Sequence, residues 1–447
     1  MTVIATAGHV DHGKSSLVRS LTGTDPDRLE EEKRRGLTID LGFAHTVLPS
    51  GTELSFIDVP GHVKFLRNML AGVGGVSACV FVVAATEGWK PQSEEHLRIL
   101  ELLGISHGII ALTKVDLVDD EWLELAQMEV ADHVEGTFLE GAPMVSVSSK
   151  SGTGLDAMRR ELDALIERSS AAVDRKRPRL WLDRVFAAKG SGTVGTGTLV
   201  GGTLQNDQLV SIEPGGHSAR VRTIQTAGNT VEQIGAGNRV AVNLAGVDHT
   251  DVKRGDAVIE PGRWRLTERF DASLRVLDAL DHDVSRRGAY VAYIGAGEHA
   301  VKLRVLGVQE LGPGTTGAVR LFLPAALPLL PGDRFVLRES GRDETVGGGE
   351  VLDIDPVLRA SRAAPDRSVE RLVRERGWLT VDQIEQLTGE VVHPVIGEWV
   401  TTSESLAELS AAIVERVDEA GPAGLDLAAF DERERAVLPA LDAVVVS

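Results

Sequence analysis

The chain has 447 residues, a formal net charge of −19 and one cysteine, Cys79. This length is enough for three or four domains. The charge excludes a protein that attracts nucleic acid through a diffuse basic surface, so a nucleic-acid partner would need local basic patches. A single cysteine excludes a disulfide within the chain and fits a reducing compartment, and we expect Cys79 to be a buried thiol.

No apolar run approaches the roughly 20 residues that cross a membrane. The first residues also lack the basic region and the long apolar region of a secretory signal. We therefore expect a cytoplasmic protein without a membrane partner, and nothing in the sequence indicates more than a monomer.

Residues 1–172 alternate short apolar runs with amphipathic stretches. Strands are predicted at 2–10, 53–59, 78–86, 108–116 and 143–149, and helices at 14–23, 64–73, 93–104, 121–134 and 154–170. Helices between apolar strands predict a doubly wound α/β domain with a parallel sheet.

The pattern changes at the charged linker 171–179. Short alternating strands punctuated by glycine follow, and they predict two β-barrels, at 178–262 and 263–355. Residues 356–447 have a helical pattern, with Thr380 as a helix N-cap and Gly389 as a helix stop. The sequence thus predicts a multidomain fold with a small α-rich, winged-helix-like C-terminal region.

A phosphate-binding motif opens the first domain. The segment Gly8–Ser15 has the form G-x-x-x-x-G-K-[ST], and it follows a predicted strand and begins a predicted helix, as the motif requires. Backbone N–H groups and the helix N-terminus would hold phosphates, while the lysine neutralises β- and γ-oxygens and the serine suits Mg²⁺. The predicted phosphate-binding residues are Gly8, Asp11, His12, Gly13, Lys14, Ser15, Ser16 and Gly61.

Two later segments carry groups suited to the metal and the terminal phosphate. Asp58 ends an apolar strand, so it can approach Mg²⁺ directly or through water. Gly61 offers an unobstructed N–H, and His62 can orient an attacking water. Thr38 can add a hydroxyl to Mg²⁺ in a loop that orders with the triphosphate. The predicted metal residues are Ser15, Thr38 and Asp58.

A third group of residues predicts which nucleotide base the domain binds. Asp116 can accept two hydrogen bonds from guanine, which carries an N1–H and an amino group that adenine does not present as a pair. The predicted guanine-binding residues are Thr113, Lys114, Asp116, Ser148, Ser149 and Lys150. Five motifs in this order predict a GTPase domain that binds GTP or GDP with Mg²⁺.

This set of motifs resembles the translational GTPases of the elongation factor Tu class, and the two barrels match that architecture over about residues 1–355. The resemblance implies GTP hydrolysis on the ribosome. It also implies that His62 is the catalytic residue that positions water and that Val10 and Leu37 form an apolar gate around it. Thr113 departs from the asparagine that many relatives carry, which would brace the phosphate loop.

A second glycine motif, G-x-G-x-x-G at 190–195, raises a different possibility. A dinucleotide-binding fold would need a helix after it, but the sequence continues as a Gly-rich β pattern. We therefore predict a barrel hairpin at this position rather than a cofactor loop.

Residues 180–202 and 327–353 resemble the bacterial selenocysteine-specific elongation factor family. That resemblance directs attention to Asp183, Arg184 and Arg239, because general factors carry an acidic pair at 183–184 and a non-basic residue at 239. Two arginines in one pocket would favour the selenolate of selenocysteine over the hydroxyl of serine by about 2–4 kcal/mol. Asp183 would bind the α-amino group or brace Arg184; alternatively, Arg184 is a surface residue paired with Asp183.

The expected function is delivery of selenocysteinyl-tRNA to the ribosome for UGA recoding, with GTP hydrolysis. The family also binds a messenger RNA hairpin through its C-terminal units. From residue 377 onward this sequence has 14 acidic residues against three basic ones, and an acidic surface binds phosphates poorly. We therefore expect either a sequence truncated before its RNA-binding end or a relative with a shortened C-terminal region, and no hairpin binding by these 447 residues. The alternatives are a paralogous translational GTPase not specific for selenocysteine and a regulatory GTP-binding module.

Overall fold

A computed structural model describes residues 2–27, 30–35, 38–62, 65, 68–70, 76, 78–169, 172–188, 190 and 192–441. Leu37 of the expected gate lies outside these residues, as does most of the helix predicted at 64–73. Among the described helices, none is long and apolar enough to cross a membrane.

The first domain is an α/β sandwich around a six-stranded sheet of order β2-β3-β1-β4-β5-β6. Apolar residues on both faces of the sheet form two separate cores under the helices. Cys79 is fully buried in one of them, as predicted. The strands are β1 Thr2–Ala7, β2 Gly42–Val47, β3 Glu53–Asp58, β4 Ala78–Ala84, β5 His107–Thr113 and β6 Met144–Ser146; the helices are α1 Lys14–Thr22, α2 Glu30–Arg35, α3 Pro91–Leu102, α4 Asp120–Val134 and α5 Leu155–Arg168.

The prediction of an all-parallel sheet was wrong at one edge. Five strands are parallel, but β2 pairs antiparallel with β3, with Gly42 opposite Asp58 and Val47 opposite Glu53. A short hairpin joins these two strands, so no crossover helix is needed. Strand β2 carries an exposed His45, a partly buried Thr46 and an exposed Val47, so its sequence has no continuous apolar run that would reveal it.

The second domain is a barrel of six strands in the order β11-β16-β7-β9-β15-β12, and pairing between β11 and β12 closes it. The G-x-G-x-x-G segment lies in the hairpin of β8 and β9, which confirms the predicted hairpin. A Cβ atom at Gly197 would lie 2.1 Å from the carbonyl oxygen of Trp181, so the glycine permits close approach of two strands. The strands are β7 Arg179–Trp181, β8 Arg184–Ala188, β9 Gly192–Val200, β10 Leu204–Gln205, β11 Leu209–Glu213, β12 His217–Thr226, β13 Asn229–Val231, β14 Gln233–Ile234, β15 Arg239–Ala245 and β16 Ala257–Ile259.

The third domain is a closed barrel of order β17-β22-β20-β19-β23-β24. It shares apolar cores with its neighbours: Trp181 of the second barrel packs into its core, and its Tyr293 and Val336 pack into a core of the first domain. The strands are β17 Thr267–Val276, β18 Val284–Ser285, β19 Tyr290–Ile294, β20 Gly297–Val305, β21 Glu310–Leu311, β22 Thr316–Leu327, β23 Arg334–Glu339 and β24 Glu344–Asp353.

The C-terminal region is mainly helical and packs on the third barrel. Leu372, Ile384 and Leu387 belong to the same buried cluster as the barrel core. Thr380 caps a helix as predicted, in a reciprocal capping box with Gln383, and Gly389 ends that helix with a φ of 75°. The elements are α6 Val369–Arg376, β25 Trp378–Thr380, α7 Val381–Thr388, β26 Trp399–Thr401, α8 Ser403–Glu419 and α9 Glu432–Val437, with β25 antiparallel to β26.

Candidate nucleotide and aminoacyl sites

The phosphate loop lies between β1 and α1. Gly8 has a φ of +127°, and a Cβ atom there would lie 2.1 Å from the carbonyl oxygen of Val82, so only glycine fits. Gly13 has a φ of +87° and directly precedes the first residue of α1. The ammonium group of Lys14 donates to the carbonyl oxygens of Gly8 at 3.0 Å and His9 at 2.7 Å. Burial lowers the pKa of Lys14 to about 8, which marks a cation held in a dry site.

Hydroxyl and carboxylate groups meet at the end of the loop near α1. The side-chain oxygens of Ser15 and Thr38 are 2.8 Å apart, and Thr38 also donates to Oδ1 of Asp27 at 2.9 Å. Asp58 is fully buried and accepts at Oδ1 from the hydroxyl of Thr6 at 2.6 Å. Its Oδ2 atom has no hydrogen-bond partner among the described residues. Hard oxygen donors and an unpaired buried carboxylate oxygen fit Mg²⁺.

Burial raises the pKa of Asp58 to about 6, because the ionised carboxylate is poorly solvated there. A bound cation would reverse this effect by favouring the charged form. Asp27 joins the predicted metal residues in the structure, although no motif marked it in the sequence.

Gly61 lies directly against the phosphate loop. A Cβ atom at this position would lie 2.3 Å from the Nζ atom of Lys14 and 2.6 Å from the amide nitrogen of Val10. His62 follows it, and its ring is 6.0 Å from that of Phe65 between centroids. His62 is not among the described residues that line the nucleotide cavity. The structure therefore places Val10 and Gly61 at the cavity and His62 beside it.

The base end of the cavity is built from two loops. Oδ1 of Asp116 accepts a hydrogen bond from the hydroxyl of Ser148 at 2.7 Å. The amide nitrogens of Lys150 and Ser151 donate to that same hydroxyl, at 3.2 and 3.1 Å. The carboxylate that the sequence assigned to guanine is thus fixed in orientation by the loop after β6.

Thr113 takes the bracing role expected of asparagine. Its hydroxyl donates to the carbonyl oxygen of His12 at 2.6 Å, so the end of β5 is tied to the phosphate loop. A second tie comes from helix α3, where Nδ1 of His96 accepts from the amide nitrogen of Gly8 at 3.1 Å. Burial lowers the pKa of His96 to about 3, so its ring is neutral and can accept this bond. The sequence offered no signal for His96 beyond its place on an amphipathic helix.

These loops enclose one cavity of about 440 Å³. Among the described residues predicted to bind the nucleotide or the metal, three do not line the cavity: Gly8, His12 and Asp58. The lining residues are Val10, Asp11, Gly13, Lys14, Ser15, Ser16, Asp27, Thr38, Gly61, Thr113, Lys114, Asp116, Leu117, Ser148, Ser149 and Lys150.

A second candidate site lies where the first domain meets the second barrel. Arg239 donates to Asp183 through both terminal nitrogens, at 2.6 and 2.9 Å, and the hydroxyl of Thr196 donates to the same carboxylate at 2.8 Å. The roles expected of Asp183, which are binding the α-amino group or bracing Arg184, stay predictions. The structure adds a partner that the sequence analysis did not name, because the carboxylate of Asp183 pairs with Arg239.

Arg184 instead reaches the first domain. It donates to the carbonyl oxygen of Leu41 at 3.0 Å and lies 3.5 Å from the carboxylate of Asp40. Both arginines contact the ring of Phe43: the guanidinium carbons of Arg239 and Arg184 are 3.5 and 5.0 Å from its centroid. The structure therefore brings the three predicted residues together around an aromatic ring that the sequence analysis missed.

Comparison with known proteins identifies the family to which this chain is related. The model of the elongation factor Tu GTP binding domain matches residues 1–168, and that of the selenocysteine-specific elongation factor β-barrel domain matches residues 273–357. A solved structure of a bacterial selenocysteine-specific elongation factor covers 98% of this chain and is covered over 77% of its own length, with a TM-score of 0.82 and 30% identity. The chain belongs to the selenocysteine-specific elongation factor family.

Curated members of the family support this assignment at the level of sequence. The factor from Desulfomicrobium baculatum is 41% identical over 353 residues, which are 78% of this chain and 55% of that protein. The factor from Escherichia coli K12 is 36% identical over 80% of this chain and 56% of its own length. A curated relative from outside this family, Elongation factor Tu 2 of Streptomyces avermitilis, is 31% identical over 79% of this chain and 96% of its length. The chain thus spans about half the length of the curated family members it matches.

Proposed function

We propose that this chain binds GTP with Mg²⁺, carries selenocysteinyl-tRNA to the ribosome for UGA recoding and hydrolyses GTP there. The proposal depends mainly on one observation: Arg184 and Arg239 both lie against the ring of Phe43. This charged group would form the aminoacyl pocket, in addition to the nucleotide cavity of the first domain. Family membership supports both halves of the proposal.

Different residues of the cavity would bind the phosphates, the base and the metal. Lys14 and the amide groups at the start of α1 would hold the phosphates, and Asp116 would accept from the guanine base. Ser15, Thr38 and Asp58 would hold Mg²⁺, with Asp27 beside them. When bound, Mg²⁺ would neutralise phosphate charge, and the protein would contribute the oxygen ligands.

His62 is the proposed catalytic residue. It follows Gly61, which lies against Lys14 and Val10 of the phosphate loop, and this proximity supports a role for His62 at the terminal phosphate. In phosphoryl transfer, we expect His62 to position the attacking water molecule rather than to act as a strong base.

Charged side chains of both domains meet at the pocket around Phe43. Asp183 pairs with Arg239, and Asp40 lies 3.5 Å from Arg184 and 3.7 Å from Arg254. A selenolate, which carries one negative charge, would be favoured beside these guanidinium groups, whereas the neutral hydroxyl of serine would not.

The proposal is tested by GTP turnover in the presence and absence of ribosomes and selenocysteinyl-tRNA. We expect ribosomes to accelerate hydrolysis many-fold and the charged tRNA to be released with it. GTP turnover that ribosomes leave unchanged would instead indicate a regulatory GTP-binding module. The acidic residues after 377 argue against hairpin RNA binding by these 447 residues, and a gel shift with cognate hairpin RNA tests that point.

A further inference from the structure

The side chain of His12 packs inside the first domain and does not line the nucleotide cavity. Its Nδ1 atom is 3.4 Å from the carbonyl oxygen of Val82 on β4. A carbonyl oxygen only accepts hydrogen bonds, so Nδ1 carries the proton of this ring. Burial lowers the pKa of His12 to about 4, so the ring is neutral at neutral pH and the lone pair of Nε2 is available.

His9 and Glu87 lie close to this ring. One nitrogen of each histidine and one carboxylate oxygen of Glu87 are all within 4.8 Å of one another. The two rings meet edge to face, with their centroids 4.9 Å apart. Nδ1 of His9 and Nε2 of His12 are buried, and neither has a hydrogen-bond partner among the described residues. Neighbouring buried nitrogens without partners are costly, which points to a ligand that both can share.

The donor atoms of this cluster suit a transition metal. Two imidazole nitrogens and a carboxylate oxygen fit Zn²⁺ or Co²⁺, whereas Mg²⁺ prefers oxygen ligands alone. The nitrogens that bind a tetrahedral Zn²⁺ lie roughly 3.3 Å apart, so the donor atoms here must approach by no more than about 1.5 Å. The side chain of Glu87 is 35% exposed and His9 is only partly buried, so both can make this movement.

The surroundings of the cluster are also those of a metal site. Histidines that bind metals commonly donate their other ring N–H to a carbonyl or carboxylate oxygen, as His12 does to Val82. Gln92 lies beside His9, and its Oε1 atom has no hydrogen-bond partner in the described part of the chain. This oxygen can accept a hydrogen bond from a water molecule at the fourth coordination position of the metal.

We propose that His9, His12 and Glu87 bind one divalent transition-metal ion of the Zn²⁺ class, at a site distinct from that of Mg²⁺. The ion would join the phosphate loop to the turn after β4, in which Glu87 lies. Lys114 lines the nucleotide cavity and donates to Oε1 of Glu87 at 3.0 Å, so the metal would use the other carboxylate oxygen. The three ligands themselves are not among the described residues that line the cavity.

The test is Co²⁺ binding to the full chain in the presence of excess Mg²⁺ and GDP. Co²⁺ that replaces Mg²⁺ among oxygen ligands is octahedral and absorbs visible light weakly, whereas tetrahedral Co²⁺ absorbs strongly. We expect one tetrahedral Co²⁺ per chain, displaced by Zn²⁺. Glu87→Gln and His9→Gln should each weaken binding by about 100-fold or more, because loss of an outer hydrogen-bond partner alone typically costs about 10- to 100-fold.

The matched control is His282→Gln. His282 forms a second histidine and carboxylate cluster on the third barrel, with Glu339 and Glu344. Both of its ring nitrogens already have carboxylate partners, at 2.9 Å from Glu339 and 3.0 Å from Asp281. The variant therefore removes a histidine whose nitrogens are satisfied, and it should bind Co²⁺ as the unmodified chain does.

Three outcomes would overturn the inference: no tetrahedral Co²⁺ in the unmodified chain, unchanged binding in Glu87→Gln and His9→Gln, or loss of binding in His282→Gln. A further readout needs no variant. Zn²⁺ should shift the nitrogen resonances of His9 and His12 in the unmodified chain, with Nδ1 of His9 and Nε2 of His12 changing most. Shifts confined to other histidines would place the metal elsewhere and contradict the assignment.

Discussion

Arg239 and Asp183 form a two-point ion pair, with Nη1 to Oδ2 at 2.6 Å and Nη2 to Oδ1 at 2.9 Å. The side chain of Asp183 is 4% exposed and that of Arg239 is 11% exposed. The geometry matches the planar fork of the guanidinium to the carboxylate, which is the strong form of this interaction. It also fixes the plane of Arg239 over the ring of Phe43.

Removing Arg239 alone should destabilise the protein more than removing both partners. Arg239→Ala leaves the nearly buried carboxylate of Asp183 without its cation, at a cost of about 3–5 kcal/mol in the free energy of unfolding. Replacing both side chains, in Asp183→Leu with Arg239→Met, should recover most of that loss. Urea denaturation of the three proteins measures it, and equal losses in the single and double variants would show that the pair itself is not responsible.

Thr113 should contribute to nucleotide affinity through the phosphate loop. Thr113→Val keeps the shape of the side chain but removes the hydroxyl that donates to the carbonyl oxygen of His12. Loss of one such bond is worth about 1 kcal/mol, so GDP affinity should fall roughly fivefold. Thr113→Ser is the control, since it keeps the hydroxyl. Binding of a fluorescent GDP analogue measures the affinity of both variants. An unchanged GDP affinity in Thr113→Val would show that this hydroxyl does not contribute to nucleotide binding.

Mg²⁺ dependence should weaken in mild acid. The pKa of Asp58 is raised by burial to about 6 from its ordinary value of 3.8, and the pKa of Asp27 is also raised by burial. Between pH 3.8 and about pH 6, Asp58 therefore keeps a proton in the metal-free folded protein but loses it in the unfolded chain. The contribution of Asp58 to the free energy of unfolding falls as pH rises through this range. Mg²⁺ needs the ionised carboxylate, so its affinity should fall as pH falls through about 6.

The measurement is GDP affinity titrated with Mg²⁺ at about pH 7 and about pH 5, with Asp58→Asn as the comparison. The Mg²⁺ effect should shrink with acid in the unmodified chain. In Asp58→Asn it should be small at both values. A Mg²⁺ effect in the unmodified chain that does not change with pH would contradict the assignment of Asp58.

His62 should matter for hydrolysis and not for nucleotide binding. His62→Ala leaves the described lining of the cavity unchanged, since His62 is not part of it. Ribosome-stimulated turnover should drop by about 10²-fold or more, in the range typical of positioned groups in catalysis, while GDP affinity stays within about twofold. His45→Ala, on strand β2 of the same domain, is the control. Full stimulation by ribosomes in His62→Ala would place the catalytic group elsewhere.

The nucleotide cavity could be predicted from sequence because its parts are local. The phosphate loop follows β1 and the segment with Asp116 follows β5, and the carboxyl ends of parallel strands meet at one edge of the sheet. Lys14 and Asp116 could therefore be assigned from their motifs, whereas Thr38 precedes β2 and was assigned from its place between two motifs. All three residues line the same cavity. The hydroxyl of Thr113 shows that a departure from the family pattern can preserve the contact that matters.

The contacts between domains could not be predicted in the same way. Phe43 and Asp40 belong to strand β2 and the segment before it, and their partners Arg184 and Arg254 are more than 140 residues away in the chain. No local pattern encodes such a contact, because it depends on how the first domain packs on the barrel. The pairing of Asp183 with Arg239 was missed for the same reason, because the two residues lie 56 positions apart in the chain.

Selectivity for selenocysteine is the central claim, and one comparison tests it most directly. The dissociation constants of selenocysteinyl-tRNA and seryl-tRNA should be measured with the full chain and a non-hydrolysable GTP analogue. The two arginines against Phe43 predict that selenocysteinyl-tRNA binds more tightly by about 2–4 kcal/mol, or roughly 30- to 1,000-fold, and that Arg239→Ala loses this preference. Equal affinity for the two tRNAs would contradict the account and leave a translational GTPase without selenocysteine specificity.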